Sequence, residues 1–581
     1  MTGHRADALA SVDVSWLRTR VADALALLRS EALAILRREA AFFSGAPPAF
    51  TLVSPLASGA DQMVAEAAIA TGWALQAVLP FRYEDCRREQ DSVSAASLDV
   101  LRDAASCVLE LPGDPDDPPS AFALAGRATV AHCDLLLAVW DGLPGRGRGG
   151  TAHTVEMALL RGTPILHLPV DPAQQPRLLW SAFDPAVITH PGNHGEGRPA
   201  TFEAIGQVLT AILAPPPSAA ERKFLRRFLS ERPYRWNWRI EYPLLMALAG
   251  AHRMSRRDFR TRNGVILERE EWNAYRHECA CHGVGAELDR LEEAYGWADR
   301  LGSHFSQTYR SSHVFNFLLA ATGALIGLSG LVADFDPLPA AAAEFAIILA
   351  VVANTLFGSR RCWHQRWLDY RQLAERLRPM RSLKLLGIAS PDPPGSAAEP
   401  IAGRWIEWYA AGMWRTVGCP SGNLSAAGSA ALAAAIARRE LDPQIAYHRH
   451  SATQSQRFDD RLEFVGLSLF IITILISLGV IVALEVAPGL VGDWSNWITF
   501  FSAGLPAVGT AIFGIRVQGD FGNVAARCQS TAALLRRVSD ELSAGPSLER
   551  AADLTEQAGR IMLQDLDQWR LVVELHELSV G

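Results

Sequence analysis

Lysine is almost absent: Lys223 and Lys384 are the only two in 581 residues, against 55 Lys plus Arg, so nearly every cation is an arginine. The bias fits a GC-rich coding sequence and carries no functional weight. A basic stretch followed by a short apolar one does not open the chain, so no cleaved signal peptide is expected. A net charge of −7 argues against a nucleic-acid-binding body. Charge is also missing locally. No Lys or Arg interrupts four long apolar runs, Val314 to Ala333, Ala340 to Phe357, Phe464 to Leu484 and Trp497 to Ile515.

Each run is close to the roughly 20 residues a helix needs to cross about 30 Å of hydrocarbon. Arg310, Arg360, Arg361, Arg457, Arg461 and Arg516 flank them on one side, whereas the connections Asp334 to Pro339 and Glu485 to Asn496 carry only acids. The positive-inside rule then places both termini in the cytoplasm, in a multi-pass protein of the inner membrane. Trp494, Trp497 and Phe335 stand at the depth of an outer aromatic belt. The eight cysteines (Cys86, Cys107, Cys133, Cys279, Cys281, Cys362, Cys419 and Cys528) all fall on the cytoplasmic side, where thiols stay reduced, and no disulfide is expected. Hydrophobic residues make up 49% of the chain, a share that suits a mostly cytosolic mass with a membrane part.

The first 170 residues alternate apolar runs (Phe50 to Val53, Leu75 to Leu79, Ser106 to Glu110, Leu135 to Trp140, Pro164 to Leu168) with helical stretches, which predicts a parallel α/β sheet. Ligands of such sheets bind beyond the carboxyl ends of the strands, where helix N-termini favour phosphate. Four motifs fall there. Thr2-Gly3-His4-Arg5 ends a first strand; Ser54 ends the next, and Ser58-Gly59-Ala60-Asp61 turns into a helix. Asp141-Gly142 ends the Leu135 to Trp140 strand, and Gly149-Gly150-Thr151 opens the helix carrying Glu156. Two glycine-rich strand-to-helix turns in one sheet point to a phosphate or pyrophosphate ligand. Taken singly, each motif has a plain structural reading: a tight connection, a surface pairing for Arg127, a solvated Glu156, or a first-turn acid for Asp61.

TGHR, SPLASGAD (54–61), LPF (79–81), GRATVAHCD (126–134) with LLLAVWDG after it, and RGGT (148–151) together resemble the SLOG domains. These are Rossmann-like modules related to the LOG phosphoribohydrolases and to the ligand-binding regions of melastatin-type TRP channels. The resemblance covers about residues 2–170. It implies a nucleotide ligand, NAD- or ADP-ribose-derived or cyclic, held by Gly3, His4, Arg5, Ser54, Ser58, Gly59, Ala60, Asp61, Arg127, Asp141, Gly142, Gly149, Gly150, Thr151 and Glu156, with no other cofactor. The LOG pattern Gly-Gly-x-Gly-Thr-x-x-Glu is not kept, because Glu156 follows Thr151 at the wrong spacing, which weakens the hydrolase reading. The chain also begins at the TGHR turn, so a full strand before it is not expected in this sequence.

The membrane half resembles the SLATT-type modules that accompany SLOG domains in bacterial defence. The likeness rests on 360–378, with Trp363, Trp367, Tyr370, Ala374 and Leu377 at helical spacing, and on 517–542, with Val524, Cys528, Leu535, Val538 and Leu542 on one stripe. Both stripes read as packing faces of a cytoplasmic bundle that continues the membrane helices. The expected fold class is thus an α/β Rossmann-like parallel-sheet domain (1–170) and a linker with a short helix (171–217). A helical coupling region (218–312), a transmembrane hairpin (313–358), a helical region (359–462), a second hairpin (463–516) and C-terminal helices (517–581) follow. His277-Glu278-Cys279-Ala280-Cys281-His282 and His448-Arg449-His450 lack the second ligand pair of a zinc site, and no metal is expected. Glu344 and Asn354 are pore candidates as polar groups within a span. Gly323 and Gly327 form a small-xxx-small pair, and Pro506 suits close packing or a gate.

Three functions fit: a nucleotide-sensing effector that opens a pore or perturbs the bilayer, a membrane-anchored nucleotide N-glycosidase using Glu156 or Asp141, and a passive scaffold. Few polar groups line one subunit's four spans, so the pore reading calls for a homo-oligomer, a tetramer in preference to a dimer. No nucleic-acid partner is expected.

Overall fold

A computed structural model describes residues 1–145, 147–180, 197–260, 264–332, 337–391, 404–486 and 488–574. Ten strands occur among them: β1 Thr2–Gly3, β2 Thr51–Ser54, β3 Ala74–Leu79, β4 Cys107–Glu110, β5 Leu136–Trp140, β6 Ile165–Pro169, β7 Arg177–Leu179, β8 Arg198–Pro199, β9 Val284–Gly285 and β10 Ser421–Asn423. They pair in the orders β1-β5-β6-β7-β8 and β2-β3-β4-β10-β9. Pairing is parallel except at β6-β7, β7-β8 and β10-β9. The Met1 nitrogen donates to the Val53 carbonyl and so places the β1 edge beside β2. β5 is buried along its whole length, as a strand covered on both faces must be.

One face is covered by the helices Val14–Arg38, Ala60–Ala70, Ser92–Ala104 and Phe202–Leu213, whose Leu17, Val21, Val64, Leu98 and Val208 share a core with Leu52, Leu75 and Leu79. The Asp13 carboxylate caps the first of them by accepting from the Ser15 and Trp16 N–H groups. Leu109 and Val78 face the other way, into a core built with Trp272, Leu301, Tyr370, Leu385 and Trp405 of the helical region. The sheet therefore does not close at residue 170. β10, from beyond the first pair of apolar helices, pairs in parallel with β4, Gly422 opposite Leu109, and β9 pairs with β10. Both short strands fall in stretches whose composition predicts helix, and neither Ser-Gly-Asn nor Val-Gly carries a strand signal of its own.

Among the described residues, four helices are long and apolar enough to cross a membrane, lying within Asp289–Ser329, Leu338–Arg360, Ala426–Val486 and Trp494–Ser543. The first begins inside the globular core at Leu291, Ala294 and Leu301 and emerges at its far end. It stops at Ser329, short of the expected Ala333, which lies outside the described residues together with Asp334, Phe335 and Asp336. The expected loop from Glu485 to Asn496 is another correction: helix runs to Val486 and resumes at Pro488. A Cβ on Gly323 would lie 3.3 Å from Ile347 and one on Gly327 3.5 Å from the Glu344 carboxylate, so the small-residue pair seats the second helix against the first. Left-handed residues Cys362 (φ 52) and Asp520 (φ 47) bend the chain where the second and fourth apolar helices pass into the helices Trp363–Leu377 and Phe521–Ser543. Trp363, Trp367, Tyr370, Ala374 and Leu377 are all buried there, as are Cys528, Leu535, Val538 and Leu542. Ala525 rather than Val524 completes the second stripe.

Candidate functional site

The turn after β1 passes under the start of the helix Ala60–Ala70. The His4 N–H donates to the Val139 carbonyl of β5 (3.0 Å), and the His4 carbonyl accepts from the Ala60 N–H (2.9 Å). That approach requires glycine at 59, where φ is +101 and a Cβ would stand 2.5 Å from the Ala6 nitrogen. On the other side of β1, Gly149 (φ +79) brings the loop after β5 against the Pro119 carbonyl, and the helix Thr151–Leu160 starts from Gly150. Between the two turns lies a cleft of about 270 Å³. Its lining is Met1, Thr2, Gly3, His4, Arg5, Ala8, Pro55, Ala57, Asp61, Phe122, Gly126, Gly149, Gly150, Thr151 and Thr154.

The cleft stands at the carboxyl end of β1, with β2 on one side and β5 on the other, so two connections leave the sheet in opposite directions. The helices starting at Ala60 and Thr151 have no side-chain N-cap, whereas Asp13, Asp91 and Asp117 cap their own helices. The Ala60 N–H is taken by the His4 carbonyl, so the remaining first-turn N–H groups and the two dipoles favour an anion. The Arg5 guanidinium stacks on the Phe122 ring, 4.5 Å from its centroid, and supplies the cleft's positive charge. Asp61 is 4% exposed, and its Oδ1 has no hydrogen-bond partner. Burial pushes its carboxyl up to about 7, opposed first by the Met1 amino group, then by a backbone hydrogen bond from Ala57 and by Arg5.

Of the residues read from sequence, the structure gathers Gly3, His4, Arg5, Asp61, Gly149, Gly150 and Thr151 around the cleft. Gly59 and Ala60 hold the turn behind it. Ser58 is half-buried outside the lining, and Ser54 is buried with its Oγ accepting from the Leu56 N–H (3.2 Å). The Asp141 N–H donates to His4 Nε2 (3.1 Å) and its Oδ1 accepts from the Leu143 N–H (3.0 Å), so this carboxylate braces the rim. Gly142 is exposed and Glu156 half-buried, and neither lines the cleft. Phe122 and Thr154 do line it, although no motif points to them. Thr154 falls three residues after Thr151, one helical turn on, which is the signal the sequence offers for it.

Arg127 turns away from the cleft. Its guanidinium pairs with Asp553 (2.7 Å) and Glu556 (3.3 Å) and donates to the Ile388 carbonyl (3.1 Å). Arg161, at the end of the helix Thr151–Leu160, also pairs with Glu556 (2.7 Å) and bonds Ser390. The helix Pro118–Ala131, which bears Arg127 and the lining residues Phe122 and Gly126, and the helix Thr151–Leu160 thus clamp one buried carboxylate of the C-terminal helix Leu548–Glu574. Lys384, 1% exposed, makes a second junction nearby: its Nζ donates to the Gly418 carbonyl (2.7 Å) and His132 Nδ1 (3.1 Å) and lies 3.7 Å from the Trp414 centroid. Burial lowers its pKa to about 7 and drives His132 well below its ordinary value.

In the apolar helices, Asn354 Nδ2 donates to Ser312 Oγ (2.9 Å) and Asn316 Oδ1 (2.7 Å), and its Oδ1 accepts from Arg239 (2.8 Å). Its hydrogen bonds are therefore spent between helices. Glu344 is exposed beside Gly327. His277 Nδ1 and Cys281 Sγ are 3.9 Å apart, and no cluster of three His, Cys, Asp or Glu side chains suited to a metal occurs among the described residues. No family model, curated protein or solved structure matches the chain.

Proposed function

We propose that the chain is a nucleotide-sensing membrane effector. The sheet part, a Rossmann-like module of SLOG type, binds an NAD- or ADP-ribose-type or cyclic nucleotide, and the four apolar helices respond by opening a pore or perturbing the bilayer. The observation that carries this reading is the convergence of two uncapped helix N-termini, Arg5 and an unpartnered Asp61 oxygen on one cleft. A phosphate suits the N–H groups and Arg5; a ribose hydroxyl, as donor, suits Asp61 Oδ1. About 270 Å³ is just under the roughly 300 Å³ at which ligand pockets usually begin, so a phosphoribosyl group fills it and a larger nucleotide extends over the exposed Gly142–Gly145 rim. Placement in the inner membrane, with both termini in the cytoplasm, follows from the arginine asymmetry. The role in antiviral defence follows from the resemblance alone.

Full-length protein in detergent, titrated with ADP-ribose, NAD and cyclic dinucleotides, tests the site. Gly150 is exposed, and a Cβ added there would meet nothing within 4 Å, so Gly150→Arg leaves the fold intact and projects a long side chain at the cleft. Binding to wild type and a loss of at least 100-fold in this variant are expected; equal isotherms would sink the proposed site. Gly59→Arg is the poorer probe, because it displaces the turn itself.

Asp61 also keeps an enzymatic reading open, as an anchored N-glycosidase. A buried carboxyl poised near 7 can hold or accept a proton at neutral pH. Asp141 and Glu156 no longer serve that reading, since one is bound at the rim and the other stands outside the cleft. Base release in the same titrations, lost in Asp61→Asn, distinguishes enzyme from sensor.

A further inference from the structure

Where the apolar helices meet the globular part, the segment 232–260 carries seven arginines against two acids, Glu241 and Asp258. Its short helix Glu241–Leu248 is pinned to the roots of the apolar helices. Met246 packs with Val314, Leu462 and Ile515, and the Tyr242 N–H donates to Ser311 Oγ (3.1 Å). Val314 and Ile515 are the globular-side ends of the first and fourth apolar runs, and Leu462 lies two residues before the third, so the short helix lies at the plane where a bilayer would begin. Its other face is unpartnered. Leu248 is 77% exposed and Leu244, one turn earlier, 43%, while Trp238, three residues before the helix, is 86% exposed. Arg260 stacks on Trp236 at 4.7 Å. Arg253 and Arg256 are exposed and make no ion pair among the described residues, and Arg461 reaches to within 3.8 Å of where a Cβ on Gly250 would stand.

Aromatic and leucine side chains pointing outward are expensive beside water but favourable in the headgroup layer, where an amphipathic helix lies in the plane of the membrane. Unpaired arginines at that level face lipid phosphates. We propose that the segment from Trp236 to Arg260 is an in-plane membrane collar that binds anionic phospholipid, with Trp238, Leu244 and Leu248 in the interface and Arg253, Arg256 and Arg260 on the headgroups. The proposal rests on the four apolar helices crossing the bilayer.

Full-length protein is reconstituted in nanodiscs of zwitterionic lipid with or without phosphatidylglycerol. In a Cys281→Ser, Cys362→Ser background, a polarity-sensitive fluorophore is placed at Trp238→Cys or, within the third apolar run, at Leu475→Cys. Lipids brominated near the glycerol should quench the 238 probe, and lipids brominated deep in the chains the 475 probe. A quenched 475 with an unquenched 238 overturns the collar while leaving the spans in place; an unquenched 475 overturns the spanning assignment on which the collar depends. A 238 probe that is shielded only as protein concentration rises marks a contact between copies and also overturns the proposal. About 1 kcal/mol per surface arginine is roughly fivefold each. The Arg253→Gln, Arg256→Gln, Arg260→Gln triple variant should therefore retain phosphatidylglycerol on the order of 100-fold less strongly by native mass measurement, and the corresponding Lys variant should retain it nearly as wild type does. Equal retention by the Gln variant refutes the headgroup assignment.

Discussion

Glu556 is the carboxylate most worth removing. It is 9% exposed, pairs with Arg161 at 2.7 Å and Arg127 at 3.3 Å, and accepts the Ser390 N–H at 3.2 Å. Deleting one partner of a buried charge cluster costs about 3–5 kcal/mol, because the remaining charges keep their desolvation penalty. Here the cost falls at the low end, about 3 kcal/mol, because Arg127 keeps Asp553 at 2.7 Å and Arg161 keeps its bond to Ser390. The loss is local, since Leu548, Ala551, Leu554 and Ala558 still hold the C-terminal helix in the core. Hydrogen exchange on the full chain in detergent reads it directly: at 1.4 kcal/mol per tenfold, amides of 548–562 in Glu556→Ala should open about 100-fold more often. Glu556→Gln keeps an acceptor but no charge and should lose about 1.5–2 kcal/mol, within the range for a charged hydrogen bond. Exchange within threefold of wild type in Glu556→Ala would refute the claim that this carboxylate fastens the cleft's helices to the C-terminal helix.

Lys384 predicts a pH dependence. Its folded pKa near 7 lies below the roughly 10.4 of an unfolded lysine, so the unfolded chain binds the extra proton between these values and stability rises with pH across pH 7 to 10, by at most about 1.4 kcal/mol per unit. Lys384→Met should flatten the rise in urea midpoints between pH 7 and pH 9; an unchanged slope would assign it to other groups. For orientation, an impermeant thiol reagent on intact cells should label Gly492→Cys and spare Ser530→Cys, and the reverse pattern would invert the topology. Ser396, the natural cytoplasmic control by sequence, lies outside the described residues. Mass measurement with nucleotide bound should give a homo-oligomer, preferably a tetramer; a monomer would remove the pore and leave the anchored enzyme ahead.

The five strands β2 to β6 were legible within about one residue, because a parallel strand covered on both faces must be an unbroken apolar run. The apolar helices were legible for the same reason of length and composition, and the glycine turns because positive φ and close backbone approach leave few alternatives at Gly59 and Gly149. What sequence could not show was long-range pairing. β10 joins β4 across more than 300 residues through Ser-Gly-Asn, whose place is set by its partner and by the Cys107 Sγ donating to the Pro420 carbonyl (3.1 Å) rather than by its own propensity. Arg127 stood beside the site motifs in sequence, yet Asp553 and Glu556, more than 400 residues away, decide where it points.

That same long-range pairing gives the cleft a short physical route to the apolar helices. The helix that opens at Gly150 ends at Arg161, Arg161 holds Glu556, and the helix bearing Glu556 packs against Trp363–Leu377 and Met380–Leu386. Trp363–Leu377 is the continuation, past the bend at Cys362, of the second apolar helix. A ligand that draws the Gly149–Thr151 turn inward can bias the apolar helices only if it binds two arrangements of this chain with different affinity. The coupling is then measurable as the non-additivity of Gly150→Arg and Glu556→Ala in nucleotide affinity and vesicle leakage. Independent, additive effects would mean that the clamp fastens the two parts without transmitting anything between them.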